Sequence, residues 1–467
     1  MVKIFNTNYY CKKYEKQGVI PGFFKISKDI LKIVWASMLE SFLVALVTIF
    51  DGIQVSTLGN IANTAITICR QPYFLLIAFS NALNIVLATI IARRKGENDI
   101  EGVNKTMHLG LVLSFIISII LSILFIMIAK PLCLMMKAQD DTLSLAITYF
   151  RYLVAGHVFN GLRLTISSCQ KGMGKTSLSL ISSLVANIVN IFFNYVLITG
   201  KLYFPSLGIK GAAIATNIGN FIAFVISFVS IIFEKDYLKF SFKKLFNFSL
   251  KYFKPIKKLI VSILLEQLLI RFGFIVLNII VNNLGTMDTY INGICSDINS
   301  LLFTLSDGFA IGSSAIIGIK LGEKRKDLAI VYAKVAMIIS TTCGFILAIS
   351  IIMFRFQLVG LYKPDSFDKI NKACNILILA AIACIPQNLQ WVSLGILRTS
   401  GDSKYTAFVS LSSVVIIRPL ITYLLVYVFL GGFGVTGAWI GQIIDQSIRM
   451  ILNLTRFHSR KWINIKI

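Results

Sequence analysis

Charge is scarce in this sequence. Only 14% of its 467 residues are charged, whereas 56% are hydrophobic and the mean hydropathy is +0.78. A soluble protein carries about 25% charged residues, so this chain has too few charges to cover a water-facing surface. Apolar stretches recur from about residue 30 to about residue 454. These features exclude a soluble globular protein and predict an integral membrane protein whose solvent is the lipid bilayer.

Groupings that catalysis, metal binding or secretion require are also missing. The three histidines, His108, His157 and His458, lie far apart, and the eight cysteines form no C-x-x-C pair. Neither a zinc site nor a disulfide framework is therefore predicted, and no metal set or nucleophile–base pair indicates an enzyme. The N-terminal segment 1–28 contains six lysines and no apolar core long enough for a cleavable signal peptide.

Two charged features suggest binding of a nucleotide or of nucleic acid, but the surrounding sequence supports neither. The segment "GMGKTS", positions 172–177, ends like the phosphate-binding pattern G-x-x-x-x-G-K-[ST]. Its leading glycine is replaced by Cys169, and an apolar helix rather than a strand precedes it. The net charge of +25 could attract nucleic acid, but the basic residues collect in short segments between apolar runs, as juxtamembrane residues do. Neither nucleotide nor nucleic acid is a predicted partner.

Twelve apolar stretches are long enough to cross a bilayer, which takes about 20 residues in a helix. The fourth and tenth are the least apolar, because Arg151, His157 and Arg163 interrupt one, and Gln387 and Gln390 the other. The predicted spans are about 30–58, 66–92, 106–130, 143–168, 178–199, 207–233, 255–283, 291–320, 328–355, 373–397, 405–429 and 433–455.

The distribution of Lys and Arg predicts the orientation. The N-terminal arm, the loop Arg93–Lys95, the loop with eight lysines from Lys235 to Lys258 and the C-terminal tail fall on one side of the membrane. Both termini are therefore expected in the cytoplasm, in a multi-pass protein of the plasma membrane.

The second half of the chain repeats the first. The segment Glu40–Glu97 aligns with Glu266–Glu323 without a gap, and 17 of the 58 positions are identical. The matches include Glu40/Glu266, Gly59/Gly285, Cys69/Cys295 and Gly96/Gly322. This predicts a cytoplasmic arm (1–28), an N-lobe (29–233), a cytoplasmic loop (234–254), a C-lobe (255–455) and a cytoplasmic tail (456–467).

Because six spans is an even number, both lobes enter the membrane from the same side. The predicted fold is an all-α polytopic membrane protein of twelve helices, in two homologous lobes related by a pseudo-two-fold axis along the membrane normal. Parallel repeats of this kind are typical of alternating-access transporters.

Acids inside the membrane are functional candidates, since a charge at bilayer depth costs several kcal/mol. Span one carries Glu40 and Asp51, whose spacing places them on one helix face. Asn190 and Asn194 share a face of span five, and Thr216 lies at similar depth in span six. Asp51, with these three, predicts an oxygen-rich site for Na⁺ or for a proton. The alternative is that Asp51 merely lies near an exposed helix end.

The C-lobe repeats only part of this set of candidate residues. Glu266 repeats Glu40, and both are expected to line a substrate cleft, whereas Leu277 stands at the counterpart of Asp51. Arg418, beside Pro419, is expected to anchor span eleven rather than to bind substrate. Second-tier candidates are three acids of spans eight and twelve, Asp297, Asp307 and Asp445.

Several motifs, in order and duplicated, resemble the multidrug and toxic compound extrusion (MATE) family over about residues 28 to 455. They are "TIFDGIQVSTLGN", "ARRKGEND", "NIVNIFFNYVLITG", "SLGIKGAAIATNIGN" and "GILRTSGDSK". The resemblance implies a cation-coupled (Na⁺ or H⁺) antiporter that exports amphipathic, often cationic, compounds without another cofactor, and a monomer is expected.

The resemblance also implies that Asp51, Asn190, Asn194 and Thr216 match the cation site of the family's N-lobe. This chain departs at Asn194, where the family has an acid, and that loss should weaken Na⁺ binding. The alternative transporter function is a lipid-linked oligosaccharide flippase of the same superfamily, whose cleft would be rich in Arg. Two functions outside transport are disfavoured. A membrane-embedded enzyme would need a metal-binding set or a nucleophile–base pair, which the sequence does not show. A receptor or scaffold has little reason to keep buried acids at matched depths.

Overall fold

The protein is described here as a computed structural model. It covers residues 6–11, 15–56, 58–136, 138–201, 204–245, 250–362, 366–429 and 432–465. Lys12 and Lys13 of the predicted cytoplasmic arm lie outside these ranges. Every regular element within them is a helix, which confirms the predicted all-α class.

In the described part of the chain, twelve helices follow the twelve predicted spans. The first six are α1 Phe23–Ser56, α2 Asn60–Gly96, α3 Ile100–Met127, α4 in two pieces (Asp140–Ala155 and His157–Gly172), α5 Thr176–Thr199 and α6 Gly208–Ile232. The second six are α7 Leu250–Asn282, α8 Thr286–Gly322, α9 Lys326–Gly360, α10 Phe367–Ser400, α11 Ser403–Val428 and α12 Gly434–His458. Short helices Ala129–Met135 and Phe242–Leu245 precede α4 and α7.

Ten of these helices are long and apolar enough to cross a membrane by themselves, within the described residues. The other two are α4 and α12. The α4 helix breaks at Gly156, where the Asn217 side chain occupies the space that a Cβ would need, and each piece has 16 residues. The α12 helix carries the buried charges Asp445 and Arg449. The fourth span is thus as irregular as predicted. The tenth is a continuous helix whose hydropathy is among the lowest of the ten, as predicted, and the twelfth is more polar than the sequence indicated.

The duplication read from the sequence recurs in the backbone. Gly59 and Gly285 precede α2 and α8 with φ of 91° and 103°. Gly174 and Gly401 end α4 and α10 with φ of 72° and 92°. Glycine reaches positive φ without strain, so each glycine pair marks the same turn built twice. The chain is accordingly a membrane protein of twelve helices in two homologous sets of six.

Helix packing repeats as well, with one change of register. Gly211 of α6 lies against the carbonyl of Leu197 in α5, and Gly437 of α12 lies against the carbonyl of Leu425 in α11. The two glycines are related by the offset that relates Glu40 to Glu266. The same offset pairs Leu197 with Tyr423, so Leu425 lies two positions beyond that counterpart. The α11 helix contains a π-helical segment, Leu411–Ile417, which accommodates an extra residue relative to α5.

Packing divides the chain into two compact units. One unit is Leu39–Ile260, and the other combines Met1–Met38 with Val261–Ile467; we call them the N-lobe unit and the C-lobe unit. The beginning of α1, up to Met38, belongs to the C-lobe unit, where Ile26 and Val34 pack in a core with Phe309. The core of the N-lobe unit includes Leu76 and Phe150. The predicted lobe boundaries follow homology rather than packing, and they stay a prediction.

Candidate functional site

Four predicted residues meet in the N-lobe unit around the carboxylate of Asp51. Asn194 Nδ2 of α5 donates to Asp51 Oδ1 over 2.7 Å. One turn earlier, the Asn190 amide is assigned the orientation that satisfies its hydrogen bonds, with its nitrogen 2.7 Å from the same oxygen and its oxygen 3.2 Å from Thr216 Oγ1 of α6. Helices α1, α5 and α6 therefore bring together the set that the sequence predicts.

Asp51 is held by amides and not by a basic side chain. Among the described residues, no Lys or Arg forms an ion pair with it. Asn190 and Asn194 are 6% and 1% exposed, and Asn194 Oδ1 has no hydrogen-bond partner in the described part of the chain. A carboxylate at bilayer depth and an unpaired amide oxygen are both costly. A proton on Asp51, or a hard cation bound by these oxygens, offsets that cost.

Glu40, the other candidate acid of α1, is paired. Lys171 Nζ at the end of α4 donates to Glu40 Oε1 over 3.0 Å. Ser179 and Ser183 of α5 donate to the same carboxylate over 2.8 and 3.0 Å. This carboxylate thus has a cation and two hydroxyl donors from its own unit.

Glu266 has the same surroundings in the C-lobe unit. Arg398 of α10 donates to both Glu266 oxygens, over 3.0 and 3.2 Å. Thr406 and Ser410 of α11 donate to this carboxylate over 2.9 and 3.3 Å. The role of Glu40 and Glu266 in lining a substrate cleft stays a prediction.

The partners of these two glutamates are functional candidates that the sequence analysis missed. An ungapped alignment of spans four and five with spans ten and eleven maps Lys171 onto Arg398, Ser179 onto Thr406 and Ser183 onto Ser410. The signal is therefore present in the sequence, because an alignment of the two halves continued through these spans would have found all three pairs.

The second-tier acids differ from one another. Asp445 is fully buried and accepts from Ser413 Oγ over 2.6 Å and from Arg449 Nη2 over 2.5 Å. Asp307 is half-buried on α8, and Asp297, on the same helix, is exposed. Of these acids, Asp445 is thus the one that lies fully buried in an ion pair with arginine.

The sequence is similar to known membrane transporters. The uncharacterized transporter YisQ of Bacillus subtilis is 24% identical over 437 residues, which cover 93% of this chain and 95% of that protein. A probable multidrug resistance protein NorM of Halalkalibacterium halodurans is 27% identical over 364 residues, 78% of this chain and 79% of that one.

The fold is similar to a solved transporter structure. An outward-facing multidrug resistance MATE family transporter of the MOP superfamily superposes with a TM-score of 0.86 at 20% identity, covering 93% of this chain and 96% of that one. The profile of the MatE family matches twice, at residues 36–196 and 262–424, once in each homologous half. The chain therefore belongs to the MATE family of membrane transporters.

Proposed function

We propose that this protein couples entry of a cation, H⁺ or Na⁺, to the export of amphipathic, mainly cationic, compounds by alternating access. The observation that carries the proposal is the half-buried Asp51 carboxylate, which is held by two buried amides in the N-lobe unit and has no basic partner among the described residues. Relatives named as multidrug resistance proteins support the export of organic compounds and do not favour the flippase alternative.

Asp51 would be loaded from outside and unloaded into the cytoplasm. Loading removes the charge of a carboxylate that costs several kcal/mol at bilayer depth. A ligand shifts a conformational equilibrium only by its differential affinity for the two states. The two amides that bind Asp51 Oδ1 would supply this difference, since they belong to α5 and the carboxylate belongs to α1.

The choice between H⁺ and Na⁺ depends on Asn194. An acid at this position would give Na⁺ a second carboxylate, whereas Asn194 offers a neutral oxygen. Affinity for hard cations rises with the number of charged ligands, so one carboxylate favours proton coupling or weak Na⁺ coupling.

The membrane topology and assembly belong to the same proposal. The Lys and Arg distribution supports cytoplasmic termini in the plasma membrane. Glu40 and Glu266 would lie beside the substrate path, and the transporter would work as a monomer with an ion gradient, and no nucleotide, as its energy source.

The test is ethidium efflux from proteoliposomes with Na⁺ and pH gradients imposed separately. The informative variant is Asp51→Asn, which removes the charge and keeps the shape. Glu101→Gln is the matched control, because the Glu101 side chain is 69% exposed and its ion pair is with Lys105 on its own helix face.

At least one gradient should drive efflux by the wild type and by Glu101→Gln. Asp51→Asn should lose about tenfold or more of the gradient-driven rate, which is the range of typical coupling energies. Efflux that ignores both gradients, or an Asp51→Asn variant with wild-type rates, would refute the proposal.

A further inference from the structure

The cation site of the N-lobe unit has a structural counterpart in the C-lobe unit. In the N-lobe unit the Asn190 side chain contacts Thr216 over 3.2 Å. In the C-lobe unit Arg418 Nη2 donates to Gln442 Oε1 over 3.2 Å. These contacts join the same pairs of helices, α5 with α6 and α11 with α12.

These two contacts relate α5 to α11 in the same register as the glycine contacts described above, in which Leu425 takes the place of Leu197. The extra residue of the π-helical segment Leu411–Ile417 places Arg418, instead of Ile417, at the position of Asn190. It likewise places Thr422 at the position of Asn194.

The counterpart has lost the acid and gained a base. Leu277 of α7 replaces Asp51, so this helix contributes no carboxylate at that level. Arg418 lies with its guanidinium carbon 5.3 Å from the ring centre of Phe274, one turn before Leu277. A position that holds a carboxylate and amides in one unit therefore holds a guanidinium and an apolar side chain in the other.

Arg418 belongs to a buried group with surplus positive charge. Arg418 Nη1 lies 3.7 Å, and Arg449 Nη2 2.5 Å, from the same oxygen of Asp445. Exposure is 6% for Arg418, 4% for Arg449 and 0% for Asp445. Two guanidinium groups thus share one carboxylate in the interior of the unit. We call these three residues with Gln442 the arginine cluster.

Hydrogen-bonding capacity remains unused in and beside the arginine cluster. Within the described chain, the Nε atoms of Arg418 and Arg449 have no partner, and neither has Thr422 Oγ1. Thr422 faces Gly441, the neighbour of Gln442. These groups are more than nine-tenths buried and can all donate. Buried donors without partners are rare and costly, so these three are suited to an acceptor that carries negative charge.

The local helix geometry also indicates a binding site. Arg418 begins a short α-helical stretch, Arg418–Tyr423, between the π-helical segments Leu411–Ile417 and Leu424–Val428. Segments of π-helix occur frequently at functional sites. Arginine suits a carboxylate because its planar donors match the two carboxylate oxygens.

We propose that the arginine cluster binds the carboxylate group of an amphipathic compound. The substrates of this transporter would then include compounds that carry a carboxylate beside a cationic group. The substrate role rests on the proposed export function, but the binding itself does not. Failure of carboxylate binding would leave Asp51-dependent export intact, and loss of export coupling would leave carboxylate binding intact.

The experiment measures the thermal unfolding of purified full-length protein in detergent. The probe is sodium benzoate, an aromatic carboxylate. Benzyltrimethylammonium chloride and benzamide serve as cationic and neutral analogues, and sodium sulfate as an inorganic anion, all at equal ionic strength. A ligand that binds only the folded state raises the unfolding midpoint in proportion to its occupancy.

Two variants test the site from opposite directions. Arg418→Gln removes the guanidinium, and Leu277→Asp offers Arg418 a competing carboxylate at the counterpart of Asp51 while it keeps the arginine. Arg355→Gln is the matched control, since Arg355 Nη1 donates to a carbonyl of its own helix, that of Ile352. Asp51→Asn is the control for the N-lobe unit.

Benzoate should stabilise the wild type, Arg355→Gln and Asp51→Asn, and its apparent affinity should fall about tenfold or more in Arg418→Gln and in Leu277→Asp. If Arg418→Gln does not fold, Leu277→Asp alone decides. Three results would overturn the proposal. These are no stabilisation of the wild type by millimolar benzoate, equal stabilisation of Leu277→Asp, and stabilisation by sulfate but not by benzoate.

Discussion

Three carboxylates on predicted membrane-spanning helices show how neighbouring side chains differ around an acid. Glu40 and Glu266 each have a basic partner at 3.0 Å and two hydroxyl donors. Asp51 has amide donors in place of a base. Because Lys171 and Arg398 already neutralise the glutamates, loading of a cation changes the energy of the interior most at Asp51.

The effect of Asn194 on cation affinity can be tested by replacing it with an acid, as in the family's pattern. Asn194→Asp would place a second carboxylate where Asn194 Nδ2 now donates to Asp51 Oδ1 over 2.7 Å. We expect the Na⁺ concentration for half-maximal efflux to fall on the order of tenfold, because charged ligands raise cation affinity. The measurement is ethidium efflux against external Na⁺ at fixed pH. An unchanged Na⁺ dependence would contradict the assigned cation site.

The Glu40–Lys171 pair should matter for stability. Lys171→Met leaves Glu40 buried without its partner, and the loss of one member of a buried pair costs about 3 kcal/mol. The double variant Glu40→Gln/Lys171→Met should be more stable than Lys171→Met alone. Unfolding in detergent measures this double-mutant cycle, and additive effects would show that the pair contributes no coupling energy.

Residue types and their depth were enough to predict the Asp51 set, because i,i+4 spacing and span position place the side chains. The basic partners of the glutamates were not predicted. An alignment of the two halves pairs Lys171 with Arg398, but no local pattern shows that either residue contacts a glutamate. The arginine cluster was missed for another reason. An ungapped alignment of the two halves pairs Asn190 with Ile417, and only the π-helical segment shows that Arg418 takes its place.

At the scale of helices, close contacts through glycine hold α5 to α6 and α11 to α12. A Cβ on Gly211 would lie 2.6 Å from the Leu197 carbonyl oxygen, and one on Gly437 2.7 Å from that of Leu425. Both distances are too short for any side chain, so the backbones of each helix pair approach as closely as glycine allows.

Alanine at either glycine should force the helices apart. Gly211→Ala and Gly437→Ala should each lower the free energy of unfolding by about 1–3 kcal/mol, the usual cost of overpacking. Gly293→Ala is the control, because no described atom lies within 4 Å of a Cβ there, and it should be neutral or slightly stabilising. Equal effects at all three sites would mean that helix propensity, and not packing, sets the change in the free energy of unfolding.

The helices themselves were predictable because apolar runs of about 20 residues have few alternatives in a bilayer. The duplication was predictable from paired glycines, which keep the same turn in both halves. The break of α4 at Gly156 was not located, because it depends on the side chain of Asn217 from another helix.

At the scale of the whole chain, the described part of the N-terminal arm is folded onto the C-lobe unit. Cys11 Sγ donates to the Asp327 carbonyl over 3.3 Å, and Gln17 N donates to Asp327 Oδ2 over 3.1 Å. Arg460 of the tail forms an ion pair with Glu15 over 3.3 Å. The described parts of the N-terminal arm and of the C-terminal tail thus contact the start of α9 and one another.

Cys11 reports on this docking. Burial raises the pKa of its thiol to about 11, so at neutral pH little of the reactive thiolate is present. We expect slow alkylation of Cys11 by a maleimide in the wild type and alkylation several-fold faster in Arg460→Gln, which loses the ion pair with Glu15. Peptide mass spectrometry separates Cys11 from the other seven cysteines, and equal rates in both proteins would mean that the arm does not dock through this pair.

The central claim is that Asp51 couples a cation to export, and the most direct test is ion entry driven by the exported compound. Proteoliposomes loaded with ethidium, without an ion gradient, are diluted into dye-free buffer while proton and ²²Na⁺ movements are recorded. We predict that dye efflux drives one of the two ions inward through the wild type and through Glu101→Gln, and drives neither through Asp51→Asn. Ion entry through Asp51→Asn at the wild-type rate, or dye efflux from the wild type without movement of either ion, would contradict the account.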